Sequence, residues 1–120
     1  MEITELQSIY SKHPNIGTLE KILRDNSVKT VFLKGLCASS AALLASSFLK
    51  KQEYPFVFIL GDLEEAGYFY HDLIQINGEG RTLFFPSSYR RAIKYGQKDA
   101  ANEILRTEVL SRLQKSSEPL

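Results

Sequence analysis

The sequence predicts an α/β domain of three layers, with a parallel sheet built from βαβαβ and two short helices ahead of it. Three observations lead there. Three short runs are rich in β-formers and nearly continuous in apolar character, Thr30-Val31-Phe32-Leu33, Phe56-Val57-Phe58-Ile59-Leu60 and Thr82-Leu83-Phe84-Phe85; strands buried on both faces of a parallel sheet read this way. Helical patterns fill the intervals between them, and strands alternating with helices imply right-handed crossovers. Finally, Gly35 opens a small-residue turn where the first strand hands over to a helix, the framework on which phosphate-binding loops are built.

Taken in order, Ile3, Leu6, Ile9 and Tyr10 recur at helical spacing, and Pro14 is expected to end that first helix. A second helix carries Ile16, Leu19, Ile22 and Leu23 on one side, with Asn15 as its expected cap. Residues 1–27 thus form a helical lead-in, and residues 28–120 the α/β unit. After Asp25-Asn26-Ser27, a turn cluster, comes the first strand. The helix from about Ser39 is small and apolar nearly all round, so it should be mostly buried, its alanines close against a sheet. Lys50 and Lys51 sit in its last turn, where the dipole favours cations.

Pro55 precedes the second strand, and Gly61-Asp62 then turns directly into another helix. Asp62 with Glu65 has the spacing of a capping box. Leu63, Ala66, Gly67, Tyr70, Leu73 and Ile74 make the inner stripe, and Asn77-Gly78-Glu79-Gly80 closes the helix. Pro86 stops the third strand. The last helix, from about Asp99 to Gln114, places Ala101, Ile104, Leu105 and Val109 on one stripe, broadened by Leu110 and Leu113. Three strands leave open sheet edges, which are usually covered or paired. The chain is therefore expected to be a piece of a larger protein, with further strands beyond residue 120.

Composition narrows the function classes. Hydrophobic residues make up 43% and charged residues 24% of the 120, ordinary for a single soluble domain in the cytoplasm. No apolar run reaches the ~20 residues of a membrane span, and the acidic, amphipathic start is no secretory signal. One cysteine and two histidines exclude an internal disulfide and argue against a protein-built zinc site. Net charge is +1, but residues 81–120 carry eight Lys/Arg against four Asp/Glu. That excess is well short of the basic face of an autonomous DNA-binding domain.

Each candidate site has a plainer alternative. A working phosphate loop reads G-x-x-x-x-G-K-[ST]; here Gly35 keeps the first glycine, while Ser40, Ala41 and Ala42 stand where glycine, lysine and the hydroxyl belong. The lysine reaches the terminal phosphates and the hydroxyl holds magnesium, so the loop is degenerate and no cofactor or metal is assigned to it. Cys37 lies in the same turn near a helix N-terminus, which lowers a thiol pKa, yet neither His13 nor His71 is placed beside it as a base; an inert thiol is the better reading. His13 is expected to be exposed and His71 to sit at the core margin. Asp62 occupies the strand end where receiver domains carry a phosphorylated aspartate, but the acidic pair those domains need is missing, and capping accounts for it. In residues 87–98, Arg90, Arg91, Lys94 and Lys98 interleave with Tyr89 and Tyr95. Phosphate or an acidic surface would suit them, but a solvated loop suits them better. No catalytic residue emerges.

The ordered set GLCASSAALLASSFLK, PFVFILGDLEEAGYFYHDL, TLFFPSS and RTEVLSRL resembles the N-terminal segment of the bacterial transcription-repair coupling factors, the Mfd family. Gly35, Ser39, Asp62, Ala66, Asp72 and Leu73 match its rhythm, followed by Phe85-Pro86 and by Arg106, Leu110 and Leu113; the likeness spans residues 28–114. It implies the first part of a RecA-like, UvrB-like module whose nucleotide loop has degenerated, packed against downstream subdomains. It further implies a parent protein that uses ATP and magnesium, translocates on double-stranded DNA, displaces stalled RNA polymerase and recruits UvrA. The basic stretch after Phe85-Pro86 departs from the acidic-aromatic, proline-containing stretch usual there, so no partner contact is carried over. Two other classes stay open: a divergent P-loop nucleotide-binding enzyme domain, and a stand-alone protein-interaction domain.

Overall fold

A computed structural model describes residues 1–49, 51, 55–87 and 100–115. Five helices follow one another: α1 (Ile3–Ser11), α2 (Pro14–Arg24), α3 (Ser40–Leu49), α4 (Leu63–Asn77) and α5 (Ala100–Lys115). Among the described residues there is no strand. The α/β fold with its parallel sheet, and with it the three-layer, RecA-like arrangement, is therefore incorrect for this chain.

The error has a physical cause. A sheet exists only where N–H and C=O groups of different segments pair in register. Outside the helices, the backbone bonds joining one described residue to another span four residues or fewer; they are turns and caps. The second and third apolar runs dock instead through aromatic rings onto helices, while the first, residues 30–33, is exposed throughout. Phe56 lies 5.7 Å from Phe48 of α3, Phe58 lies 5.0 Å from Phe69 of α4, and Phe84 lies 5.2 Å from Tyr70 of α4. Offset and tilted aromatic pairs at these distances each add about 0.5–1.5 kcal/mol beyond burial. Large side chains of the first two runs are bare: Phe32 is 86%, Val57 84% and Ile59 93% exposed. The reading of these residues as strand interiors buried on both faces is wrong.

At the centre lies α3. It packs against α1, α2 and α4, and Ala42, Ala45, Ser46, Ser47 and Phe48 are buried. Its all-round apolar character did announce a buried helix, but its small residues admit other helices rather than a sheet. The core is Leu19, Ala45 and Phe48, with Leu23, Leu44, Leu49 and Phe56 against it. Two buried serines are tolerated because their hydroxyls donate to carbonyls three residues back, Ser46 to Leu43 at 2.9 Å and Ser47 to Leu44 at 2.6 Å. The Ser46 carbonyl in turn accepts from the amide Nε2 of buried Gln7 at 3.3 Å, tying α1 to α3. Lys51 pairs with Glu20 at 2.8 Å across α3 and α2, an exposed contact that contributes about 1 kcal/mol at most.

Helix ends follow local chemistry closely. Pro14 opens α2 at its first turn instead of ending α1, which stops at Ser11, because a proline lacks only an N–H that the first turn leaves unpaired. His13, not Asn15, is the cap: its Nδ1 accepts from the Asn15 N–H at 3.2 Å. Asp62 caps α4 as expected, accepting from the Glu65 N–H at 2.8 Å, while Glu65 accepts from the Gly61 N–H at 3.0 Å. Gly78 ends α4 at φ 82°, a backbone shape glycine adopts without strain. The exception is α5, none of whose residues is buried; the expected inner stripe leaves Ile104 69%, Leu110 55% and Leu113 52% exposed.

Candidate functional site

The turn before α3 is the first place to look. Gly35 adopts φ 90° and Ala38 φ 47°, so the chain does coil tightly into the helix N-terminus. The Cys37 N–H donates to Ser40 Oγ at 2.7 Å and the Ser40 N–H donates to the Cys37 carbonyl at 3.0 Å. Ser40 thus occupies an amide that a phosphate-binding turn would offer to its anion. Ala41 is half-buried and Ala42 wholly buried. A lysine or hydroxyl at those two positions would replace the small surfaces by which α3 packs.

The remaining candidates are scattered. Cys37 is exposed. Asp62 is engaged as the α4 cap. His13 is exposed, as expected, but has a structural task at the start of α2. His71 is exposed on α4, not at the core margin as the sequence suggested, because the stripe buried there runs through Leu73. No group of three or more His, Cys, Asp or Glu residues among those described is placed to hold a metal ion. Of the basic stretch 87–98, residues 88–98 lie outside the described residues. Arg24, Lys29 and Lys34 are exposed along the sequence ahead of α3.

One concave feature does form, between α4, α5 and residues 79–84. It is a cavity of about 310 Å³ lined by Tyr70 and Ile74 of α4, Leu83 and Phe84, and Leu105 and Val109 of α5, with Glu79, Glu108 and Arg112 also on its wall. Arg112 Nη2 donates to the Gly80 carbonyl beside it. Farther along α5, Arg106 Nη1 donates to the Pro86 carbonyl at 3.0 Å and its guanidinium lies 4.2 Å over the Phe85 ring; Asn102 donates to the Ser87 carbonyl at 3.0 Å. Sequence reasoning missed this cluster. Helical periodicity ranks apolar positions and says nothing of polar side chains that reach backbone carbonyls fifteen or more residues away.

Among the titratable groups, Asp25 is perturbed. Ser27 donates to its carboxylate through both hydroxyl, at 2.7 Å, and backbone N–H, at 2.9 Å, and the side-chain bond and then the backbone bond hold its pKa below the ordinary 3.8. This steadies the turn after α2 and has no acid–base partner. No described helix is long and apolar enough to cross a membrane. In comparisons with protein families, curated proteins and solved structures, nothing matches this chain.

Proposed function

We propose that this chain is a non-catalytic scaffold segment of a bacterial transcription-repair coupling factor, acting in the cytoplasm within a larger ATP-driven DNA translocase. In this reading ATP and magnesium serve the parent protein elsewhere, and UvrA, RNA polymerase and double-stranded DNA are partners of the parent. The ordered residues Gly35, Ser39, Asp62, Ala66, Asp72, Leu73, Phe85, Pro86, Arg106, Leu110 and Leu113 are what suggest the family. The α/β architecture that the likeness implied is corrected by the helices, so the proposal rests on the residues and not on the fold.

The observation that carries the scaffold role is unfinished burial. Phe32, Val57 and Ile59 are nearly bare. Such residues are accounted for when neighbouring sequence covers them. A non-catalytic role agrees with Ala41 and Ala42 in place of the lysine and hydroxyl of a nucleotide loop. The same bare surface also favours a stand-alone protein-interaction domain, and one observation separates the two. Coding sequence continuing past Leu120 into ATP-driven translocase motifs is the expected result, and a stop codon there would overturn the proposal. Calorimetric titration of the chain with ATP and magnesium is expected to give no heat of binding. Micromolar, magnesium-dependent affinity would return the divergent nucleotide-binding enzyme to first place.

A further inference from the structure

The geometry points to α5 as a strap, a helix fastened by polar side chains over a cavity and able to lift away while α1–α4 stay folded. Three features combine. No residue of α5 is buried, whereas α3 buries half of its length; hydrophobic burial therefore contributes little to holding α5 in place. The apolar side chains that α5 does turn toward the body, Leu105 and Val109, face the 310 Å³ cavity. What remains is a row of clamps to one stretch of backbone: Asn102 to the Ser87 carbonyl, Arg106 to the Pro86 carbonyl and over Phe85, and Arg112 to the Gly80 carbonyl.

These clamps reach carbonyls on either side of the third apolar run, at Gly80 before it and at Pro86 and Ser87 after it. Each is open to water on one side, so breaking it exchanges a protein bond for a solvent bond at small net cost. Lifting α5 uncovers Tyr70, Ile74, Leu83 and Phe84 together, and the cavity, already of a volume that suits a small ligand, becomes an open groove. An occupant of the groove would compete with α5 for it.

Amide hydrogen exchange of the full chain tests this. Amides of Arg106 to Lys115 are expected to exchange through an opening insensitive to low urea, at least tenfold faster relative to intrinsic rates than those of Leu44 to Leu49 in α3. Arg106→Ala with Arg112→Ala should accelerate α5 about tenfold more and leave α3 within twofold; alanine maintains the intrinsic helix, so the change reports docking. Leu110→Ala, on an exposed position, should leave α5 exchange unchanged. Equal protection of α5 and α3 in the wild type would overturn the strap. So would an unaltered α5 in the double variant, or loss of α3 protection together with it.

Discussion

At the scale of single residues, much of this chain was readable because capping and turn chemistry are local. Asp62 caps α4 and Gly78 ends it, as their types and positions indicate. His13 is the instructive miss: histidine ranks low as a cap, but the proline after it sets the helix start, and the ring nitrogen is then the acceptor within reach. Asp25 offers a quantitative check. Its carboxylate accepts two bonds from Ser27, which favours the ionised form, so its folded pKa lies below its unfolded value. A group with a depressed pKa contributes stability that is present above its unfolded pKa and is lost as pH falls through the folded one. The contribution of Asp25 is thus complete at neutral pH and disappears in the acid range below 3.8. Side-chain carboxyl shifts followed by NMR should give an Asp25 midpoint under 3.8, and Ser27→Ala should raise it. A midpoint at or above that value in the native chain would show that the turn bonds do not persist in solution.

At the scale of elements, helices were legible and strands were not. Periodicity at 3.6 residues reports a face, and a helix completes its own hydrogen bonds, so α1 to α5 all lie close to where the pattern puts them. The runs at 30–33, 56–60 and 82–85 have strand composition, but composition supplies only half of a strand; the pairing partner is non-local. In the second and third runs aromatic side chains pack on α3 and α4 instead, and the first stays exposed. The helix start at Asp62 is expected to matter for α4 in proportion to its cap. Asp62→Ala should cost about 1 kcal/mol, and Asp62→Ser much less, read as the urea midpoint of unfolding. A loss of the same size for both would mean that the Asp62 charge at the helix N-terminus, not the bond to the Glu65 N–H, carries the effect.

For the whole molecule, the governing fact is how little is buried. Leu19, Ala45 and Phe48 make the core cluster, while Phe32, Val57 and Ile59 stay in water. Ile59→Lys therefore should leave the stability of this chain, read as the urea midpoint of unfolding, within about 0.5 kcal/mol of wild type. In the longer protein proposed above, the same lysine would enter a covered apolar surface and destabilise it by several kcal/mol, since a buried charge without a partner is costly. A neutral effect in both settings would sink the idea that neighbouring sequence covers this side. The candidate site was half legible at this scale. Ala41 and Ala42, which supply neither the lysine nor the hydroxyl that a phosphate loop needs, are visible in the sequence, but the α5 cavity and its clamps join residues from 70 to 112, and no local pattern announces them.

By itself the sequence determined the helices, the cap and the glycine end of α4 and the burial of α3, since each depends on residues within a turn or two of one another. Only the tertiary structure decided that the apolar runs form no sheet, that two of them dock on helices through aromatic rings, that α3 packs among α1, α2 and α4, and that α5 is fastened by arginines beside an open cavity. Those outcomes turn on which distant groups meet, and apolar runs of this length suit a strand interior and a docked segment equally well.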